Sequence, residues 1–398
     1  MQNLSSARAP VWRGAVLAFT IFALGVRTAG AAGTTGPVAA ALQPFVDRHT
    51  LAGAVTLVAT KDRVLDLETV GYADVAAGRP MPTNALFWIA SMSKPMTAAA
   101  LMMLVDEGKV NVDDPVEKYL PEFKGQWLAA EQDKDHLLLK HPAHSIKVRE
   151  ILSHTSGLPF STRLEQTGDV YKVDVLSLRE AIFAYALTPL NTEPGTKYDY
   201  SNAGINTAGR IIEVVSGVPY ERFMAERLFG PLGMKDTTFR PDAGQLARLA
   251  KSYKPNAARD GLEETRIDQV TYPLTDRRRT DSPAGGLFST AKDVASFGQM
   301  ILNGGVFAGR RYLSEAAVKE MTSNQTGGLP SAYGFGWSVS RQPGGSFGHG
   351  GAYSTNLQID PAHGLITVFM VQHAGYPGTD GGKILPAFTE AAAAAFGK

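Results

Sequence analysis

The stretch FWIASMSKPMTAAALMMLVDEG, residues 87–108, restricts the possible folds more than any other part of the chain. Residues 95–105 are apolar on nearly every side of a helical repeat. A helix of that kind is stable only when neighbouring elements cover it all round, so it belongs at the centre of a domain. Pro95 is acceptable in a first helical turn, and Gly108 follows the last turn as a stop. Ahead of the helix, a short apolar strand end leads to a polar step at Ser91. Ser91 is then expected at the helix start, with Lys94 three residues on and on the same side of the first turn. A hydroxyl beside an amine, where backbone N–H groups point outward, supplies the parts of an activated nucleophile. The plainer alternative is an N-cap serine and a solvated lysine.

A chain of 398 residues can build one large domain or two interleaved ones. A formal net charge of +1 gives no ground for nucleic acid or an anionic membrane surface as a partner. Cysteine is absent, which excludes disulfides, thiolate catalysis and cysteine-ligated zinc. Residues 1–31 read as an export signal. Arg8 and Arg13 form a basic lead, residues 15–26 an apolar core too short to span a bilayer, and Ala29-Gly30-Ala31 a cleavage site. Cleavage would remove Arg8, Arg13 and Arg27 and leave 36 basic against 38 acidic residues. The alternative is an uncleaved anchor. No later segment is long and apolar enough for a membrane helix. The expectation is an exported protein, periplasmic or secreted, with no stable membrane span after cleavage.

Residues 38–47 suit an amphipathic helix, and residues 52–60 (AGAVTLVAT) and 64–70 two strands joined by Lys61-Asp62-Arg63. Residues 125–145 are polar and hold His136, His141 and His144, whose spacing matches no helix-borne or finger zinc pattern; a solvated loop is expected. Residues 146–152, 176–187, 203–216 and 220–228 read as helices. Arg277-Arg278-Arg279, flanked by Asp276 and Asp281, reads as a solvated loop or else a clamp for a substrate carboxylate. After Gly285-Gly286 come helices at 290–301 and 314–321, strand-like runs at 335–339, 346–349, 355–359 and 365–371, and an Ala-rich helix at 386–396. Strands at both ends imply one sheet built from both, and the short turns between the late strands favour antiparallel pairing. The expected fold class is α/β. An antiparallel sheet flanked by helices would use residues 36–90 with 286–398, and a mainly helical subdomain of residues 91–285 would carry the nucleophile helix.

Ser-x-x-Lys is weak evidence by itself. Ser289-Thr290-Ala291-Lys292 repeats it, and there Thr290 and Asp293 suggest a capping box before a helix. Ser91 differs through what lies downstream. Tyr200-Ser201-Asn202 follows a Pro-Gly turn just before the 203–216 helix. Asn202 capping that helix and Tyr200 packing would explain the triplet structurally. Functionally, a tyrosine held against a lysine loses its proton more easily, serving as base for the serine and acid for the leaving group. His349-Gly350-Gly351 ends a strand, where two glycines would let a bound acyl group approach the backbone. The N–H of Ala352 with that of Ser91 would then form an oxyanion hole; a glycine bulge beside a buried histidine is the alternative. Gly344-Gly345-Ser346-Phe347-Gly348 matches a nucleophile elbow, but that motif needs a helix directly after its serine, and a strand-like run follows.

In this order the motifs resemble the serine β-lactamase and penicillin-binding-protein superfamily, in its class C β-lactamase and family VIII esterase branch. The resemblance runs from about Val38 to Phe396. It takes in Leu152-Ser153-His154-Thr155-Ser156-Gly157-Leu158, Pro283-Ala284-Gly285-Gly286-Leu287 and Tyr333-Gly334-Phe335-Gly336-Trp337. It implies Ser91 as the acylated nucleophile, Lys94 as its proton-accepting neighbour, Tyr200 as the class C tyrosine and Asn202 as a substrate-orienting group. His349, Gly350 and Gly351 stand in the substrate-binding triplet that is usually Lys-Thr-Gly. A histidine there is only partly charged near neutral pH, and Gly350 lacks the hydroxyl. Both departures weaken the case for substrates bearing a carboxylate, such as β-lactams and D-Ala-D-Ala peptides. The resemblance implies covalent acyl transfer on a small-molecule ester or amide, needing no metal or cofactor. A carboxylesterase comes first; a β-lactamase, D-Ala-D-Ala carboxypeptidase or D-aminopeptidase comes next. A non-catalytic penicillin-binding-type sensor or assembly protein is the reading from another class.

Overall fold

A computed structural model describes residues 36–160, 162 and 176–397; the export signal read at residues 1–31 lies outside the described residues. The run AGAVTLVAT supplies β1 (Gly53–Ala59), buried at every position. Its side chains alternate between two apolar clusters, Ala54 and Val58 in one, Val55, Leu57 and Ala59 in the other. Burial on both sides explains why the segment is an almost unbroken apolar run rather than an apolar–polar alternation. β2 (Val64–Asp74) and the short edge strand β3 (Arg79–Pro80) complete the N-terminal part of the sheet. The C-terminal part holds β4 (Ser338–Val339), β5 (Phe347–Gly350), β6 (Asn356–Asp360) and β7 (Leu365–Met370). The seven strands run in the order β4-β5-β6-β7-β1-β2-β3, antiparallel throughout. The two chain ends join where β1 meets β7, with Val55 opposite Met370 and Leu57 opposite Val368.

Among the described residues there are six longer helices: α1 (Pro37–Asp47), α2 (Ser93–Asp106), α3 (Leu178–Leu187), α4 (Asn202–Ser216), α5 (Ala291–Leu302) and α6 (Gly381–Phe396). α1 and α6 cover one face through Val38, Leu42, Phe45, Ile384 and Phe388. α5 lies on the other face, against β1 and β7. α2 packs against α4 and is buried from Ser93 to Leu104 without a break, as its all-round apolar character requires. Each of its Met and Leu side chains contributes about 1.5–3 kcal/mol by leaving water. Among the described residues, no helix is long and apolar enough to cross a membrane.

Several expectations need correction. The strand expected at 335–339 shrinks to Ser338–Val339, because Gly336 turns with φ +74° so close to α2 that a Cβ would lie 2.7 Å from the Lys94 carbonyl. Residues 125–145 are only partly loop. Leu128–Gln132 and Leu137–Lys140 form a hairpin, with His136 at its turn and His141 stacked on Trp127 at 4.1 Å. Pro386, expected to begin the last helix, lies inside α6, which starts five residues earlier at Gly381. The helix expected at 220–228 runs as α-helix only over Tyr220–Met224 and continues as a π-turn over Ala225–Phe229. Thr290 caps α5 by accepting from the Asp293 N–H, but the Asp293 carboxylate turns to Asp236 and Thr237, so the capping box is half made. A strand follows Ser346, not the helix a nucleophile elbow needs.

Candidate active site

Two short pieces of chain, Phe87–Trp88 and Phe288–Ser289, pair as a ladder and deliver the backbone to the head of α2. Ala90 then adopts φ +46°, a left-handed conformation that costs a non-glycine residue about 1–2 kcal/mol. The Ser93 hydroxyl donates to the Ala90 carbonyl at 2.7 Å and holds this turn shut. The result is a 3₁₀ turn, Ala90–Met92, that presents Ser91 just outside α2 rather than in its first turn.

Lys94 is fully buried one turn further on. Its Nζ lies 3.0 Å from Ser91 Oγ, 2.9 Å from Asn202 Oδ1 and 2.7 Å from the Ala284 carbonyl oxygen. Burial pulls its pKa well below the ordinary lysine value, since no carboxylate offsets the loss of hydration. Asn202 Oδ1 and the Ala284 oxygen can only accept and take two N–H bonds, so the third position on nitrogen faces Ser91 Oγ, as a donor in the ammonium and as the lone pair in the neutral amine. Asn202 is available for this because Ser201, not Asn202, caps α4.

Tyr200 hydrogen-bonds to Ser91, but the lysine does not meet its oxygen in the expected way: Lys94 Nζ lies 4.7 Å from the Tyr200 ring centroid, over its face. Burial raises the Tyr200 pKa above the ordinary phenol value, and the bond to Ser91 only partly opposes this. The expectation that Lys94 makes Tyr200 a ready phenolate is therefore overturned. Burial thus shifts the amine down and the phenol up, each toward its uncharged form, on either side of one hydroxyl. Behind Tyr200 is a residue to which the sequence reading gave no role. His154, buried with φ +59°, accepts the Ser201 N–H at Nδ1 (3.2 Å), while its carbonyl accepts the Asp199 N–H (2.8 Å). The histidine thus pins the backbone on both sides of Tyr200, its ring 4.3 Å from the tyrosine ring. No sequence periodicity signals this, although the run containing His154 was part of the family resemblance.

His349 is buried next to this group, its ring 6.3 Å from that of Tyr200. Its Nδ1 is 2.7 Å from the Gly350 carbonyl and so carries the proton, leaving Nε2 to accept from the Tyr333 hydroxyl at 2.9 Å. Burial and the neighbouring Lys94 push its pKa down to about 3. The partly charged histidine expected near neutral pH is in fact a neutral ring with both nitrogens engaged. Gly350 is exposed, with only ordinary contacts around a Cβ. Gly351 is small for a different reason than an approaching acyl group: a Cβ there would lie 2.5 Å from the Ile89 carbonyl oxygen and 2.2 Å from Thr355 Oγ1. That close approach brings the end of β5 against the Ser91 turn and places Ala352 in the same cavity as Ser91.

The cavity has a volume of about 710 Å³. Trp88, Phe160, Leu178 and Val270 give it apolar walls, and Asn202, Asn206 and Ser282 give it polar ones. Its charged lining residues, among those described, are Asp268 and Arg279. Arg279, expected in a solvated loop or clamp, is instead buried and donates to the Phe239 and Leu274 carbonyls. Arg278 does face solvent and pairs with Asp276.

A serine, a lysine one turn later and a tyrosine from the helical layer, meeting at the edge of an antiparallel sheet, define the serine β-lactamase and penicillin-binding-protein fold. Residues 38–386 match the β-lactamase family, and the chain belongs to it. Protein Rv1367c of Mycobacterium tuberculosis is 32% identical over 367 residues, covering 84% of this chain and 89% of that protein. Among solved structures, simvastatin synthase (LovD) from Aspergillus terreus superposes with a TM-score of 0.76 at 20% identity, over 90% of this chain and 98% of that one. EstCE1, described as a hydrolase with promiscuous acyltransferase activity, superposes at 0.73 with 24% identity, over 89% and 97%. At these identities the two structures speak for the fold alone.

Proposed function

We propose that this β-lactamase-family protein is a carboxylesterase acting on small esters without a carboxylate, through an acyl-enzyme on Ser91. One observation carries the choice of substrate. His349, in the position where the family usually has a lysine, is neutral and has both ring nitrogens bonded inside the protein. A substrate carboxylate would find no cation there, and the buried Arg279 is turned to backbone carbonyls.

In the proposed reaction, Ser91 Oγ attacks the ester carbonyl carbon as its proton passes to the Lys94 lone pair. The N–H groups of Ser91 and Ala352 hold the oxyanion. The Tyr200 hydroxyl protonates the leaving alkoxide, and the resulting phenolate takes a proton from the incoming water, while the Lys94 ammonium keeps its proton for Ser91 Oγ as that leaves. Water then attacks the acyl-enzyme by the reverse route and releases the acid. Asn202 orients both the amine and the substrate. The 1–31 signal supports a site of action outside the cytoplasm as part of the same proposal.

The test is a side-by-side assay on p-nitrophenyl butyrate, a chromogenic cephalosporin and a D-Ala-D-Ala peptide. The ester should give the highest kcat/KM, and Ser91→Ala should abolish its turnover. Preferential turnover of the cephalosporin or the peptide would overturn the esterase reading. Ester turnover surviving in Ser91→Ala would overturn the nucleophile.

A further inference from the structure

We propose that Asn206 is a positioning residue for the Lys94 amine, acting through the backbone of Ala284; this rests on the reading of Lys94 as proton acceptor. Asn206 follows Asn202 by one turn of α4 and is 7% exposed. Its Oδ1 accepts the Ala284 N–H at 3.0 Å and the Ser282 hydroxyl at 3.3 Å, while its Nδ2 donates to the Tyr185 hydroxyl at 2.9 Å. The other end of the same residue, the Ala284 carbonyl, takes the Lys94 Nζ at 2.7 Å. α4 therefore holds the amine twice, directly through Asn202 and indirectly through Asn206.

The second hold decides which side of the amine faces the serine. A neutral amine has two N–H donors and one lone pair. With both donors engaged by Asn202 and Ala284, the lone pair is left for Ser91. If the Ala284 carbonyl turns away, one N–H loses its acceptor and swings toward Ser91 Oγ. The serine then meets a donor where it needs a base. The segment is also fixed beside Ala284, where the Thr97 hydroxyl donates to the Pro283 carbonyl at 2.8 Å. Asn206 is the group that takes the Ala284 N–H itself.

Asn206→Asp tests this electrostatically. The carboxylate keeps the acceptor for Ala284 and Ser282, and the Tyr185 hydroxyl can rotate to donate to its second oxygen. The path across the Ala284 backbone, from its N–H to its carbonyl, puts the new charge within roughly 9 Å of Nζ, in a poorly hydrated interior. A negative charge there favours the ammonium, so the acid limb of kcat/KM against pH should move up by about one unit. Asn206→Leu removes the hold without adding charge and should lower kcat by about tenfold or more, with KM for p-nitrophenyl butyrate little changed. Both profiles are measured on the full chain beside thermal melts. A residue that merely packs would lower the melting temperature without moving the acid limb or splitting kcat from KM.

An acid limb present in wild type but unmoved in Asn206→Asp overturns the inference. Should that variant not fold, an unchanged kcat in Asn206→Leu overturns it instead. A wild-type profile with no acid limb, or activity retained in Lys94→Met, overturns the reading of Lys94 on which the inference rests.

Discussion

Gly351→Ala and Gly350→Ala are neighbouring substitutions with opposite expected outcomes. A methyl group at 351 would lie 2.2 Å from Thr355 Oγ1 and 2.5 Å from the Ile89 carbonyl oxygen. The threonine hydroxyl can rotate, but the carbonyl cannot retreat. Ile89 donates its N–H to Leu287 (2.9 Å), and the same carbonyl accepts from Met92 (3.0 Å) to form the Ser91 turn. Restoring ordinary contact therefore needs the end of β5 to move about 1 Å from that turn, at a cost of about 1–3 kcal/mol in stability. The same movement carries Ala352 away from Ser91 and opens the proposed oxyanion pair, for which a misplacement of that size lowers kcat by about 100-fold. At 350, a methyl group would meet the Thr355 carbonyl at 3.6 Å and Asn356 Nδ2 at 3.8 Å. These contacts are ordinary, so Gly350→Ala should leave kcat and stability within about twofold and 0.5 kcal/mol of wild type. Steady-state hydrolysis of p-nitrophenyl butyrate and thermal melts read both effects. Wild-type kcat in Gly351→Ala, or an equal loss in Gly350→Ala, would refute the reasoning.

Tyr200→Phe should lower kcat by about 10²–10⁴-fold while leaving KM nearly unchanged. Its melting temperature should stay close to wild type, because the ring contacts with His154 and His349 remain. Lys94 titrates in the folded protein well below its ordinary 10.5, so between those limits the unfolded chain binds more protons. Stability then rises with pH by up to about 1.4 kcal/mol per unit in that window; urea melts at pH 7 and pH 9 should show that rise weakened in Lys94→Met relative to wild type. For His349 the window lies between about 3 and 6.5, full stability being present above 6.5 and lost as pH falls. Melts between pH 6.5 and pH 4 should show a shallower acid loss for His349→Gln than for wild type, and equal slopes would contradict a buried neutral ring.

Much of the fold was legible because its strongest patterns are local. An all-round apolar helix can only be central, which is where α2 lies. The apolar run of β1 already implied a strand covered on both faces. The convergence of Ser91, Lys94 and Asn202 also followed from their order and placement. Their protonation did not, because it depends on burial, and burial depends on side chains brought from Ala284 and His154 by tertiary packing. Asn206 shows the same limit. Its spacing from Asn202 was visible as one helical turn, but the peptide it holds lies 78 residues away in sequence. The left-handed His154 and the close approach at Gly351 depend on partners that no period encodes. Arg279 departs from its pattern for a related reason: a run of three arginines reads as solvated, although one of them satisfies buried carbonyls.

The central claim is that Ser91 carries an acyl group during turnover. Acid-quenching the enzyme while it hydrolyses p-nitrophenyl butyrate, followed by intact-mass and peptide mass analysis, tests it directly. The account predicts a butyryl adduct on the peptide containing Ser91 in wild type and none in Ser91→Ala. An adduct on a different residue, or rapid turnover without any adduct under conditions where Tyr200→Phe also accumulates none, would contradict it.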